Sequence, residues 1–175
     1  MFNVGCNEQT GISSPEQSST NQLKLISLPV PSGGLGVESE YTVSKNIDGA
    51  VGGSFWASYS YKGGPKGTVY MTSGLNFPAN SYNGVKNISQ TFSSTGAAMV
   101  FGPSMQFNAK VDYTLKIGGL DLTGVNPETV KFVYIDSNGN IYPCEYSSIA
   151  VDITNGVLAV YNAKIPHFSR YGFVN

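Results

Sequence analysis

The sequence predicts an all-β fold, an antiparallel β-sandwich of about ten strands with a disordered N-terminal tail. Three observations carry that expectation. Val111, Tyr113, Leu115 and Ile117 alternate with Asp112, Thr114 and Lys116, and a period of two sends the first set to one face and the second to water. Asn138-Gly139 and Asn155-Gly156 each stand between two apolar runs, where Asn-Gly readily forms the type I′ turn of a hairpin tip. No window sustains a helical period, and 21 glycines punctuate nearly every stretch.

The elements follow in order. Residues 1 to about 22 are Gln, Ser, Thr, Asn, Glu and Pro with almost nothing to bury, so they read as a flexible polar tail. The sandwich domain is expected over 23–175. Leu23–Leu28 is a first strand or a docking segment, ended by Pro29 to Gly36, and Tyr41–Ile47 is the next strand. Ser54–Tyr61 alternates strongly, with Phe55, Ala57, Tyr59 and Tyr61 on one face and Trp56 on the other. The loop Lys62–Gly67 leads back through Thr68–Met71, and Leu75–Pro78, Val85–Phe92 and Ala97–Phe101 read as further short strands. Gly102-Pro103 forces a turn before Met105–Phe107 and the strand Val111–Ile117. Phe132–Ile135 and Ile141–Tyr146 flank the first Asn-Gly pair, while Ile149–Ile153 and Val157–Tyr161 flank the second. Tyr171 and Phe173 share one face of the last strand.

Composition narrows the functional classes. Charged residues make up 12% of the 175-residue chain, about half the usual share for a soluble domain, and Tyr, Gly, Ser and Asn take their place. This suits a secreted or surface β-protein. A net charge of -1 gives no electrostatic case for nucleic acid or for an anionic membrane surface. One histidine and two distant cysteines supply no zinc site, and no cofactor motif is present. Asp136-Ser137-Asn138-Gly139-Asn140 departs from a calcium loop, because Ile141 occupies the glycine position and Glu145 arrives too early. Cys144 reads as a half-buried strand residue, since no Cys-His signature surrounds it.

The order Gly52-Gly53, Gly74-Leu75-Asn76-Phe77-Pro78-Ala79-Asn80, Phe101 to Phe107, Phe132 to Asp136 and His167-Phe168-Ser169-Arg170-Tyr171 resembles the ZU-five domain. That domain is a β-sandwich of ankyrins, netrin receptors, some death-domain proteins and many bacterial surface proteins. The resemblance is strongest over 50–174. It implies a sandwich and, for some members, self-cleavage of the peptide bond between the Phe and Ser of this motif. Here Ser169 would attack the Phe168 carbonyl with His167 as base. Two residues apart on a flat strand, His167 and Ser169 would stand about 7 Å from each other, so that chemistry requires a kink. The structural alternative is that His167, Phe168 and Ser169 fasten the closing strand.

At the other end, Val4-Gly5-Cys6 before a Ser/Gln/Thr-rich tract resembles the end of a bacterial lipoprotein signal, with Cys6 as the acylated residue and Asn3 departing from the pattern. An incidental cysteine in a polar tail is the alternative. Trp56, Tyr59, Tyr61, Tyr70 and Tyr82 cluster in the first half. Of these, Trp56, Tyr59 and Tyr61 form the candidate ligand platform, through which aromatic rings would stack on sugar or anchor a partner. The structural alternative is that an outward aromatic covers a sheet edge or packs under the N-terminal segment. The expectation is therefore a non-catalytic module at the bacterial cell surface or in the periplasm. Its partner would be a protein or a polysaccharide, its membrane link a lipid anchor alone, and self-association through strand edges is a further expectation. Carbohydrate binding and self-cleavage are the alternatives.

Overall fold

Period-two segments pair into two antiparallel sheets in the computed structural model, which describes residues 23–32, 40–93 and 96–175. Eleven strands form, with no helix among the described residues. They are β1 (Tyr41–Asp48), β2 (Gly53–Gly64), β3 (Gly67–Phe77), β4 (Val85–Phe92), β5 (Ala98–Gly102), β6 (Gln106–Gly118), β7 (Lys131–Ile135), β8 (Ile141–Pro143), β9 (Ser148–Asp152), β10 (Val157–His167) and β11 (Arg170–Val174). A six-stranded sheet runs β1-β4-β5-β11-β7-β8, and a five-stranded sheet runs β2-β3-β6-β10-β9. The expected tail over residues 1–22, Cys6 included, lies outside the described residues.

The two sheets close over one core. Val111, Tyr113, Leu115 and Ile117 of β6 are fully buried, as their alternation requires. Opposite them lie Phe92, Met99, Phe132, Tyr171 and Phe173 from the six-stranded sheet. Phe132 stacks near Tyr171 and meets Phe173 edge-on. Each such side chain contributes about 1.5–3 kcal/mol by leaving water. The docking alternative for Leu23–Leu28 holds. The Ile26 amide donates to the Phe173 carbonyl at 2.9 Å while the Ile26 carbonyl accepts from the Ala97 amide at 2.8 Å. This segment thus fills the wedge where β11 and the approach to β5 diverge, and Ile26 and Leu28 enter the core.

Several expectations need correction. Thr68–Met71 and Leu75–Pro78 are not separate strands but one, β3, which runs straight through Ser73 and Gly74. Ser73 points inward to a polar partner and Gly74 is roofed by a neighbouring ring, so neither breaks the ladder. Met105–Phe107 and Val111–Ile117 likewise merge into β6, and β8 stops at Pro143 instead of continuing to Tyr146. Ile153 is 42% exposed, because it stands in the turn after β9.

Both Asn-Gly pairs do sit at hairpin tips, but not in type I′ turns. Gly139 and Gly156 have positive φ whereas Asn138 and Asn155 do not, and type I′ needs both residues there. Instead the Gly139 amide donates to the Asp136 carbonyl at 3.1 Å and the Asp136 carboxylate accepts from the Asn138 and Asn140 amides. This is a type I turn finished by a left-handed glycine, favoured when an Asp precedes the loop.

Candidate functional site

Strand alternation decides which aromatics meet water. On β2, Phe55 and Ala57 are buried, Tyr59 and Tyr61 half-buried, and Trp56 exposed. The platform of Trp56, Tyr59 and Tyr61 expected from sequence is therefore not assembled: the two tyrosines face inward. Tyr59 stacks on Tyr41 at 4.8 Å, and the Tyr61 hydroxyl donates to the Pro29 carbonyl at 2.7 Å. Burial, then the neighbouring Tyr59, pushes the Tyr61 phenol up to about 12, which suits a neutral donor.

Trp56 has a different companion. It pairs with Gly74 across the β2–β3 ladder, and Tyr70 pairs with Gly118 across β3–β6. A Cβ placed on Gly74 would meet Cζ3, Cε3 and Cη2 of Trp56 at 2.5, 2.6 and 2.7 Å. Three ring atoms so nearly equidistant mean that the face of the indole, not its edge, lies over the glycine. A Cβ on Gly118 would meet Cζ, Oη and Cε1 of Tyr70 at 2.1, 2.3 and 2.4 Å, the same arrangement. Each ring covers backbone that its glycine leaves bare, the device known as aromatic rescue of glycine. The opposite ring faces look outward, with Trp56 61% and Tyr70 40% exposed.

Around the rings the outer face of the five-stranded sheet is short and hydroxylated: Ser58 pairs with Thr72, and Thr72 with Lys116. Sequence reasoning grouped Tyr70 with the other aromatics and turned Lys116 to water, but it did not place Gly118 or Lys116 beside these rings. The alternation of Tyr70 with Val69 and Met71 marks it as outward-facing, but only the register tells which glycine it covers.

The second candidate lies at the last of the connections where the chain changes sheets. β10 belongs to the five-stranded sheet and β11 to the six-stranded one, so Phe168 and Ser169 form the crossing. The kink that the sequence reading required is present. Yet Phe168 is buried, stacked on Phe101 at 5.4 Å and edge-on to Phe107 at 4.9 Å. Its amide donates to the Met105 carbonyl and the Ser169 carbonyl accepts from the Phe101 amide, both at 2.9 Å. The Tyr171 hydroxyl donates to the His167 carbonyl at 2.9 Å, four residues back, in the manner of a tyrosine corner. The His167 ring packs edge-on against Tyr134 at 4.6 Å, and no hydrogen bond joins it to the Ser169 hydroxyl.

Another change of sheet, between β8 and β9 at Pro143–Glu145, runs beside this one, and together they edge a cleft of about 180 Å³. Cys144 and His167 both line it, a proximity that sequence distance concealed. The Cys144 thiol lies 3.6 and 3.8 Å from the Glu145 and Lys164 carbonyls. Burial, reinforced by the Glu145 carboxylate, pushes it up to about 11, so it stays a neutral thiol near neutral pH and a poor nucleophile. Lys110 pairs with Glu145 at 2.8 Å on the rim and holds that carboxyl below its usual range. Among the described residues no three His, Cys, Asp or Glu side chains gather as a metal site.

Comparison with family models, with curated proteins and with solved structures finds no match for this chain. Its class is that of an all-β protein built from two antiparallel sheets.

Proposed function

We propose that this chain is a non-catalytic binding module displayed at a bacterial surface, and that it engages its partner through the outer face of the five-stranded sheet. The observation that carries this reading is Trp56, 61% exposed yet held with one face on Gly74. A rigid aromatic already fixed in place loses little entropy on binding and presents a large apolar face. Residues of this kind dominate interface energetics. The low charge content and the Val4-Gly5-Cys6 tract support the surface setting, as does the ordered set of segments that resembles a ZU-five domain.

Retention on bacterial cell-envelope preparations tests the reading. The folded chain should be retained, and a Trp56→Ser/Tyr70→Ser variant that melts cooperatively should not. Equal retention of both would move binding to another surface, with the His167–Cys144 cleft next in line.

A further inference from the structure

We infer that the Trp56–Tyr70 face takes an acidic polysaccharide, its sugar rings stacked on the two aromatic faces and its carboxylates drawn to Lys116. The inference rests on the surface proposed above and names its ligand class. Gly74 and Tyr70 are four residues apart on β3, and each ring leans one strand over in the same direction. The two platforms are therefore about 14 Å apart along the strands and about 5 Å across them. That separation suits an extended, repetitive ligand that offers one ring face after another.

The ground between the rings supports the same class. Ser58, Ser60 and Thr72 line it with short hydroxyls, suited to the donor and acceptor pattern of sugar hydroxyls.

Charge then selects the acidic members. Asp112 on this face is matched by Lys164. Lys116 is exposed and its ammonium has no partner among the described residues, and the same holds for Lys62. Lys116 lies in the row midway between Trp56–Gly74 and Tyr70–Gly118. A chain of net charge -1 thus carries two unmatched cations on one aromatic face, which favours an anionic ligand.

The chain has a single tryptophan, so tryptophan emission reads this site alone. The full chain is titrated with an oligogalacturonate hexamer, with a neutral gluco-oligosaccharide of equal length and with oligo(dT). A saturable emission change is expected with the oligogalacturonate only. Lys116→Gln should weaken it at least fivefold and reduce its salt dependence, and Tyr70→Ser should weaken it in protein that still melts cooperatively. An equal response to the neutral sugar, a response to oligo(dT) alone, or an unaltered Lys116→Gln affinity would overturn the inference. Envelope retention that survives while every oligosaccharide fails would sink the ligand class alone. Loss of both would sink the surface reading as well.

Discussion

Gln90 of the six-stranded sheet accepts a hydrogen bond from the Ser73 hydroxyl of the five-stranded sheet, and both residues are completely buried. Ser73 also shares a hydrogen bond of 2.9 Å with the Tyr113 hydroxyl, and the Gln90 amide donates to the Phe55 carbonyl at 3.0 Å. Four strands from both layers, β2, β3, β4 and β6, are thereby pinned in one relative position. A fully satisfied polar network inside a greasy interface fixes register, because any slip would strand its members without partners.

Gln90→Ala should therefore cost more than its side-chain volume suggests. It leaves the Ser73 hydroxyl and the Phe55 carbonyl short of a partner, and the expected loss is about 2–4 kcal/mol by urea unfolding. Ser73→Ala removes one hydroxyl and should cost about 1–2 kcal/mol. If the double variant is as costly as the sum of the two, the residues do not act as a network.

Tyr171→Phe removes the donor to the His167 carbonyl and keeps the ring among Phe132, Tyr134 and Phe101. A loss of about 1–2 kcal/mol is expected. If the crossing at Phe168–Ser169 serves only to fasten β11, purified protein should show one intact mass before and after this substitution. Release of a fragment beginning at Ser169 would show that the crossing is chemically active.

With its pKa raised to about 11, the Cys144 thiol should react slowly with iodoacetamide at pH 8 in the native protein. The rate should climb as pH approaches 11, whereas an ordinary exposed cysteine levels off earlier. A Cys6→Ser background isolates the signal, and urea should abolish the protection. Fast native alkylation at pH 7 would contradict the burial that raises this group.

Acid should weaken the fold through its hairpin tips. Asp136 is held below the ordinary aspartate value by the Asn140 side chain first, and Asp152 by the Asn155 side chain. Carboxyls depressed in the folded state stabilise it above the unfolded-state value, and that contribution disappears as pH falls through the folded-state value. Melting temperature should thus hold steady from pH 7 to about 5 and decline below about 4. Asp136→Asn/Asp152→Asn should start lower at pH 7 and decline less, and an identical slope would sink the assignment.

Much of this molecule was legible in its sequence, and the reason is local. Period two in Val111–Ile117 needs only the pleat to predict which side chains go inside, and all four apolar members did. The hairpins at Asn138-Gly139 and Asn155-Gly156 were readable because turn chemistry is short-range, although Asp136 and Asp152 chose the turn type by accepting backbone amides. The inward direction of Tyr59 and Tyr61 and the outward direction of Trp56 also follow from alternation alone.

Pairing is another matter, since register joins residues that no local pattern connects. That Trp56 would lie over Gly74, Tyr70 over Gly118, and Lys116 in the row between them was fixed by how β2, β3 and β6 align. The meeting of Cys144 with His167, and of Gln90 with Ser73, depended on the layers stacking face to face. Strand identity is written in neighbouring residues, whereas the Trp56–Tyr70 face arises from contacts far apart in the chain, which only the closed core holds in place.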